Sequence, residues 1–327
     1  MSAARSASAL GFLLALGSAA SFALSGIFAS ALMDSGWTAG AAVTARIGFA
    51  ALLLLIPTIL MLRGSWGLVR RASGSILLFG ILAVAGCQLA FFLAVQFIPP
   101  SLALLIEFMG PVLLILWSWV RSRVSPGLVT LLGAALAVLG LIAISGGVLS
   151  SGLHPLGILF ALIAAVGNAS YFAAGAKTDH GIAPLPFVGL GLAVGAVILS
   201  AVSALGLLPF AVSSAPGTVA GVPLDPWILV TGMVLISTVL SYLLGVAAAR
   251  RLGATVASFT GYSEPLFGIV WTILLLAVLP TAAQWIGAAL IVAGVVTVKI
   301  GELREADTPQ RTLGDATRIV HPRPPRE

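Results

Sequence analysis

Ten apolar stretches of about 20 residues each dominate this chain, and about 20 apolar residues are what a helix needs to cross a bilayer. They lie at roughly 9–31, 38–62, 74–97, 101–120, 126–146, 155–176, 184–208, 227–249, 254–278 and 281–300. Turn chemistry separates them: Asp34-Ser-Gly, Arg63-Gly-Ser, Pro99-Pro100, Ser125-Pro126-Gly127, Gly181-Ile-Ala-Pro184 and the stretch from Pro209 to Pro226. Lipid offers no partner to backbone N–H and C=O groups, so each stretch must be helical. Only 8% of the residues are charged, against about 25% in a soluble domain. The chain reads as an all-α integral membrane protein with ten transmembrane helices.

The basic residues sort by side. Counted over alternate loops, 15 of the 16 Lys and Arg residues fall on one face, from Arg5 through Arg63, Arg121, Lys177 and Arg250 to the tail. The opposite loops carry Asp34, His154 and Asp225. Positive charge stays on the cytoplasmic side, so both termini are expected there, in a bacterial-type inner membrane. Charge spread over membrane-flanking loops also argues against nucleic acid as a partner. Residues 1–8 form a short cytoplasmic lead, and the charged, Pro-rich 301–327 reads as a disordered cytoplasmic tail. The first apolar run is longer than a signal-peptide core, so it reads as a retained helix. Cys87 reads as a small packed residue. Three scattered histidines make no metal site. No phosphate loop, dinucleotide fingerprint, zinc motif or nucleophile elbow occurs, so neither an enzyme nor a cofactor is expected.

A shift of 154 residues aligns the chain with itself. Leu131-Leu-Gly-Ala-Ala-Leu-Ala-Val-Leu-Gly-Leu141 falls on Trp285-Ile-Gly-Ala-Ala-Leu-Ile-Val-Ala-Gly-Val295, and Pro111 falls on Pro265. One offset relates two consecutive helices in each half, 9–148 and 155–300. Five spans per half make the halves inverted relative to one another. That is the plan of secondary transporters, with the solute site near the midplane between the halves.

Ionisable residues at bilayer depth are costly and mark pathways. Arg46 lies about eight residues in from the outer end of the second segment and Glu107 about six or seven from that of the fourth, so both sit about 10–12 Å deep. Two readings are open: a structural ion pair, or a pair that a solute or proton can separate. Glu264 is the second half's acid, although the offset sets it opposite Gly110. Gly110, Pro111 and Pro265 distort their helices. Asn168 and Tyr171 share a face, as do Gln88 and Gln96, while Tyr242 falls on Gln88 at the same offset. Ser18, Ser21 and Ser25 line one face of the first segment. Each set serves either as interhelical glue or as the wall of a polar route.

Gln88 to Pro111, ending in Glu-Phe-Met-Gly-Pro, carries a family resemblance. So do Thr44-Ala-Arg-Ile-Gly-Phe-Ala-Ala, Asn168-Ala-Ser-Tyr171, Ser237-Thr-Val-Leu-Ser-Tyr242 and Ser263-Glu-Pro265. Over 10–300 the chain resembles the EamA-domain branch of the drug/metabolite transporter superfamily, and within it the threonine/homoserine exporter group. The resemblance implies two inverted five-helix EamA repeats that export a small solute by alternating access, with protons as a coupling ion. It departs at Leu276 to Thr281, where the family carries a Gly-Glu pair and this chain has no acid. Efflux of cationic drugs is the alternative within transporters; a membrane scaffold or sensor is the alternative outside them.

Overall fold

The structure, a computed structural model, describes residues 2–144, 154–276 and 279–319. The link between the halves, the end of the ninth segment and the last part of the tail lie outside the described residues. Fourteen helices run in order: α1 Ser2–Asp34, α2 Ala39–Leu62, α3 Trp66–Leu78, α4 Cys87–Ala94, α5 Pro100–Glu107, α6 Gly110–Ser122, α7 Leu128–Ile144, α8 Pro155–Gly175, α9 Pro184–Ala204, α10 Pro226–Val234, α11 Ser241–Leu252, α12 Ala254–Gly261, α13 Ser263–Leu276 and α14 Ala282–Ile319. The π-helical segment Phe79–Gly86 joins α3 to α4, and Leu235–Leu240 joins α10 to α11.

Local chemistry sets the helix starts. Pro100, Pro155, Pro184 and Pro226 each open a helix, where the missing N–H costs nothing. Asp225 caps α10 by accepting from Trp227 N at 2.8 Å, and Thr38 caps α2 by accepting from Ala41 N at 3.3 Å. Among the described residues, eight helical stretches are long and apolar enough to cross a bilayer, including Trp66–Ala94 and Pro226–Leu252 taken through their π segments. Leu128–Ile144 is apolar but shorter, at 17 residues. Leu52, Ile56, Trp117, Leu128 and Leu132 are exposed, as a lipid-facing surface requires.

Three features differ from the sequence expectations. The stretch from Pro209 to Pro226 holds an antiparallel hairpin, β1 Gly217–Val219 with β2 Val222–Leu224. The same loop crosses to the α1–α2 turn, where Trp37 Nε1 donates to Ser213 O and Thr38 Oγ1 to Pro209 O, both at 2.8 Å. The helical backbone continues past the apolar part of α14 to Ile319, where composition suggests a disordered tail. Gln96 is exposed and lies beyond the end of α4, so it shares no helix face with Gln88.

The 154-residue offset recurs in details of the backbone. The π segments Phe79–Gly86 and Leu235–Leu240 end on equivalent residues. Helix α5 ends at Glu107 and α12 ends at the equivalent Gly261, each a few residues before a proline. The residues just after those ends, Phe108 and Tyr262, pack ring to ring at 6.2 Å. Helices α7 and α14 pack reciprocally through their glycines. A Cβ on Gly140 would lie 2.6 Å from Gly287 O, and a Cβ on Gly287 would lie 2.6 Å from Gly140 O. Backbone contact this close admits no side chain.

On the arginine-rich side, Arg250 ties the α8–α9 loop to α11. It donates to Ile182 O at 2.6 Å and Gly175 O at 3.3 Å, and its guanidinium lies over the Phe187 ring at 5.4 Å. His180 stacks on the same ring at 5.8 Å and accepts from Ile182 N through Nδ1 at 3.3 Å. Burial, and then the positive charge of Arg250, hold the His180 imidazole below its usual pKa. The fold therefore favours neutral His180, while the unfolded chain protonates it freely below about pH 6.5.

Two stability predictions follow from these contacts. Gly140→Val is expected to cost at least about 1–3 kcal/mol, as overpacking does, read as a lower thermal midpoint in detergent. The His180 contribution is present above the unfolded pKa and is lost as pH falls through the folded one. His180→Gln should thus show a smaller fall in midpoint than the parent between about pH 7.5 and about pH 5.5.

Candidate functional site

A cavity of about 610 Å³ lies among α1, α2, α4, α5, α8, α11, α12 and α13. It reaches from Met33, Ala39 and Pro100 at the helix ends opposite the arginine-rich loops down to Ala15 and Ala248. Of the residues singled out from sequence, Arg46, Glu107, Glu264, Asn168, Tyr171, Gln88, Tyr242, Ser25 and Pro265 all line it. Residues from both halves of the chain therefore share one hollow.

Arg46 is 8% exposed and projects from the second turn of α2. Its Nη1 donates to Ser25 Oγ of α1 at 2.7 Å, while Nε is buried without a partner. Among the described residues no ion pair joins Arg46 to Glu107 or Glu264, although both carboxyls lie within electrostatic range of it and of each other. The structure thus separates the charges that the sequence allowed to pair directly. Arg46 lines the cavity, and a guanidinium with five N–H donors and no carboxylate against it is an anion receptor.

Glu107 has a different neighbour. Cys87 Sγ donates to its Oε1 at 3.2 Å, and Cys87 itself lines the cavity. Cys87 is packed as expected, 5% exposed against Ala90 and Ala164, and its thiol adds a contact at the edge of the hollow that the sequence did not show. At the repeat offset, Cys87 falls on Ser241 and Gln88 on Tyr242. Each π segment runs up to those residues. Such segments often mark functional sites.

Other expectations are refined. Ser21 does not line the cavity; its hydroxyl donates to Gly17 O of its own helix at 2.8 Å. Ser18, one turn earlier, lines the wall and donates to Ser241 O of α11 at 2.8 Å. Gly110 and Pro111 lie behind the wall. A Cβ on Gly110 would stand 3.0 Å from Asn168 Cγ and 3.1 Å from Ala169 N, so glycine lets α6 meet α8 at Asn168. The Asn168 Oδ1 is buried without a partner.

The inner end of the cavity is aromatic. Tyr171 and Tyr242 meet edge to face at 5.5 Å, and Phe22 lies 5.1 Å from Tyr242. None of these rings was singled out from sequence except the two tyrosines. The Tyr171 hydroxyl is buried without a partner and presses on Gly245 of α11, where any Cβ would collide with it. Trp271 of α13 reaches across to donate to Ala20 O of α1 at 2.9 Å. Gly245→Ala is therefore expected to lower the thermal midpoint, at about 1–3 kcal/mol. Tyr171→Phe in the same chain should restore most of that loss, because the colliding oxygen is gone. Unfolding of the double variant checks the coupling.

Comparison with known proteins agrees with this picture. The model of the EamA-like transporter family matches twice, over residues 9–146 and 155–300. An uncharacterized inner membrane transporter, YicL, of Salmonella typhimurium is 25% identical over 239 residues, covering 72% of this chain and 76% of that protein. A solved structure titled only as the crystal structure of a protein superposes with a TM-score of 0.69 at 18% identity. It covers 89% of this chain and 96% of that one, a likeness that speaks to fold alone. A twofold family match across nearly the whole apolar region, over an all-helical chain enclosing a charged hollow, indicates a transporter and not an enzyme. This chain belongs to the EamA-like transporter family, within the drug/metabolite transporter superfamily.

Proposed function

We propose that the protein exports small amino acids across a bacterial-type inner membrane by alternating access. Threonine and homoserine are the first candidates, from the resemblance carried by Glu107 to Pro111. The observation that carries the reading is that charges of both signs, drawn from both halves of the chain, converge on one cavity without pairing. A zwitterion supplies the missing partners. Its carboxylate meets Arg46, which lines the cavity with no carboxylate against it. Its ammonium meets Glu107, whose other oxygen is held by Cys87. Glu107 and Glu264 also provide carboxyls that exchange a proton for the solute, which is the basis for proton coupling.

The architecture behind this reading is ten spans in two inverted five-helix repeats, 9–148 and 155–300. It is supported by the shared offset of the π segments, of the helix ends at Glu107 and Gly261, and of the reciprocal glycine packing of α7 with α14. With both termini cytoplasmic, as the distribution of basic residues favours, the mouth at Met33, Ala39 and Pro100 faces outward. Export then requires α1, α8 and α11 to part at Tyr171 and Gly245.

Two carboxyls against one guanidinium favour a second reading, efflux of cationic compounds. Counterflow in proteoliposomes separates the two. For an amino-acid exporter, labelled threonine or homoserine exchanges, and both Arg46→Gln and Glu107→Gln lower the rate at least about tenfold, as loss of a buried charge partner does. A cation exporter would keep its transport in Arg46→Gln. If no amino acid exchanges in the parent protein, the exporter reading fails.

A further inference from the structure

The charge of the cavity does not match that of a neutral amino acid. Arg46, Glu107 and Glu264 are the acid and base groups on its wall, one guanidinium facing two carboxyls. Their depths differ. Glu107 lies four residues before the centre of 100–122, and Arg46 lies at a similar distance before the centre of 39–62. Both therefore stand at one level, about 6 Å from the midplane toward the mouth at 1.5 Å per residue. Glu264 lies at the centre of 254–276. It is then about 6 Å deeper than the other two.

The two carboxyls also differ in company. Glu107 holds the Cys87 thiol, whereas among the described residues no side chain donates a hydrogen bond to Glu264. The wall around them is apolar, with Phe91, Phe108 and Phe172 in it. A zwitterion seated at Arg46 and Glu107 leaves Glu264 facing apolar surface unpaired, which is costly for a charged group. A solute with a second cationic end on a methylene stem answers both conditions: the stem lies along apolar wall and the far charge reaches the deeper acid.

Resting on the exporter reading above, we infer that the site takes dibasic amino acids, of the lysine and ornithine kind, in preference to neutral ones. The carboxylate is read by Arg46, the α-ammonium by Glu107 and the side-chain ammonium by Glu264. The two ammonium groups and one carboxylate of the ligand complement the two carboxyls and one guanidinium of the wall. Glu264 is on this account the residue that sets the choice between dibasic and neutral solutes.

The test is counterflow by the purified full-length protein in proteoliposomes, with lysine, ornithine, leucine and threonine each exchanged against its own unlabelled pool. Lysine and ornithine are expected to exchange faster than leucine and threonine. Glu264→Gln should lower the lysine-to-leucine ratio at least about tenfold, and Glu264→Asp, which keeps the charge, should restore most of it. Exchange of leucine or threonine without lysine overturns the inference and leaves the exporter reading standing. So does a Glu264→Gln variant that slows all four solutes in proportion, which would leave Glu264 a site for the proton alone and not for the solute's second ammonium. The parent's solute order and Glu264→Asp decide the matter if Glu264→Gln does not fold. If none of the four exchanges, the exporter reading itself falls.

Discussion

Placing a guanidinium and two carboxyls at the depth of a lipid bilayer is the constraint on which the rest of this structure depends. Each group costs about 2.5 kcal/mol or more if it faces hydrocarbon, and the chain meets that cost by turning all three inward. Arg46 is held by Ser25, Glu107 by Cys87, and Glu264 by neither. A hollow with unpaired charges of both signs is unstable as packing and useful as a receptor. The aromatic rings of Tyr171, Tyr242 and Phe22 pack together on its inner part.

The helices that form the hollow are irregular where it needs them to be. Lipid demands that backbone hydrogen bonds close within each segment, and a protein-lined cavity relaxes that demand. The π segments occur just before Cys87 and Ser241, and the ends of α5 and α12 fall at Glu107 and Gly261. The regular helices lie elsewhere. Helices α7 and α14 carry no ionisable residue in their apolar parts and approach until backbone touches backbone at Gly140 and Gly287. The cavity and this tight seam are two consequences of one duplicated plan.

Much of this was legible beforehand because bilayer chemistry simplifies the reading. Apolar length marked the helical stretches, prolines marked their starts, and rarity marked Arg46, Glu107 and Glu264. What escaped was set by direction. Ser18 and Ser21 belong to one series on α1, yet only Ser18 faces the hollow, because Ser21 turns its hydroxyl back to Gly17. Cys87 packs as the small residue it looked like; only its contact with Glu107, twenty residues on and on another helix, was not legible. The hairpin at Gly217–Leu224 carries no strong alternation, and it forms where a loop lies against the end of α1.

Sequence alone determined that this chain is a membrane-embedded helical protein with an internal repeat and three charges at depth. Those properties follow from hydrophobic length and from residue identity, which are local. Only the tertiary structure decided that the three charges share one space and that none pairs with another in contact. It also decided which small polar residues face them. Those outcomes depend on helix rotation and distance between segments far apart in the chain, and periodicity constrains neither.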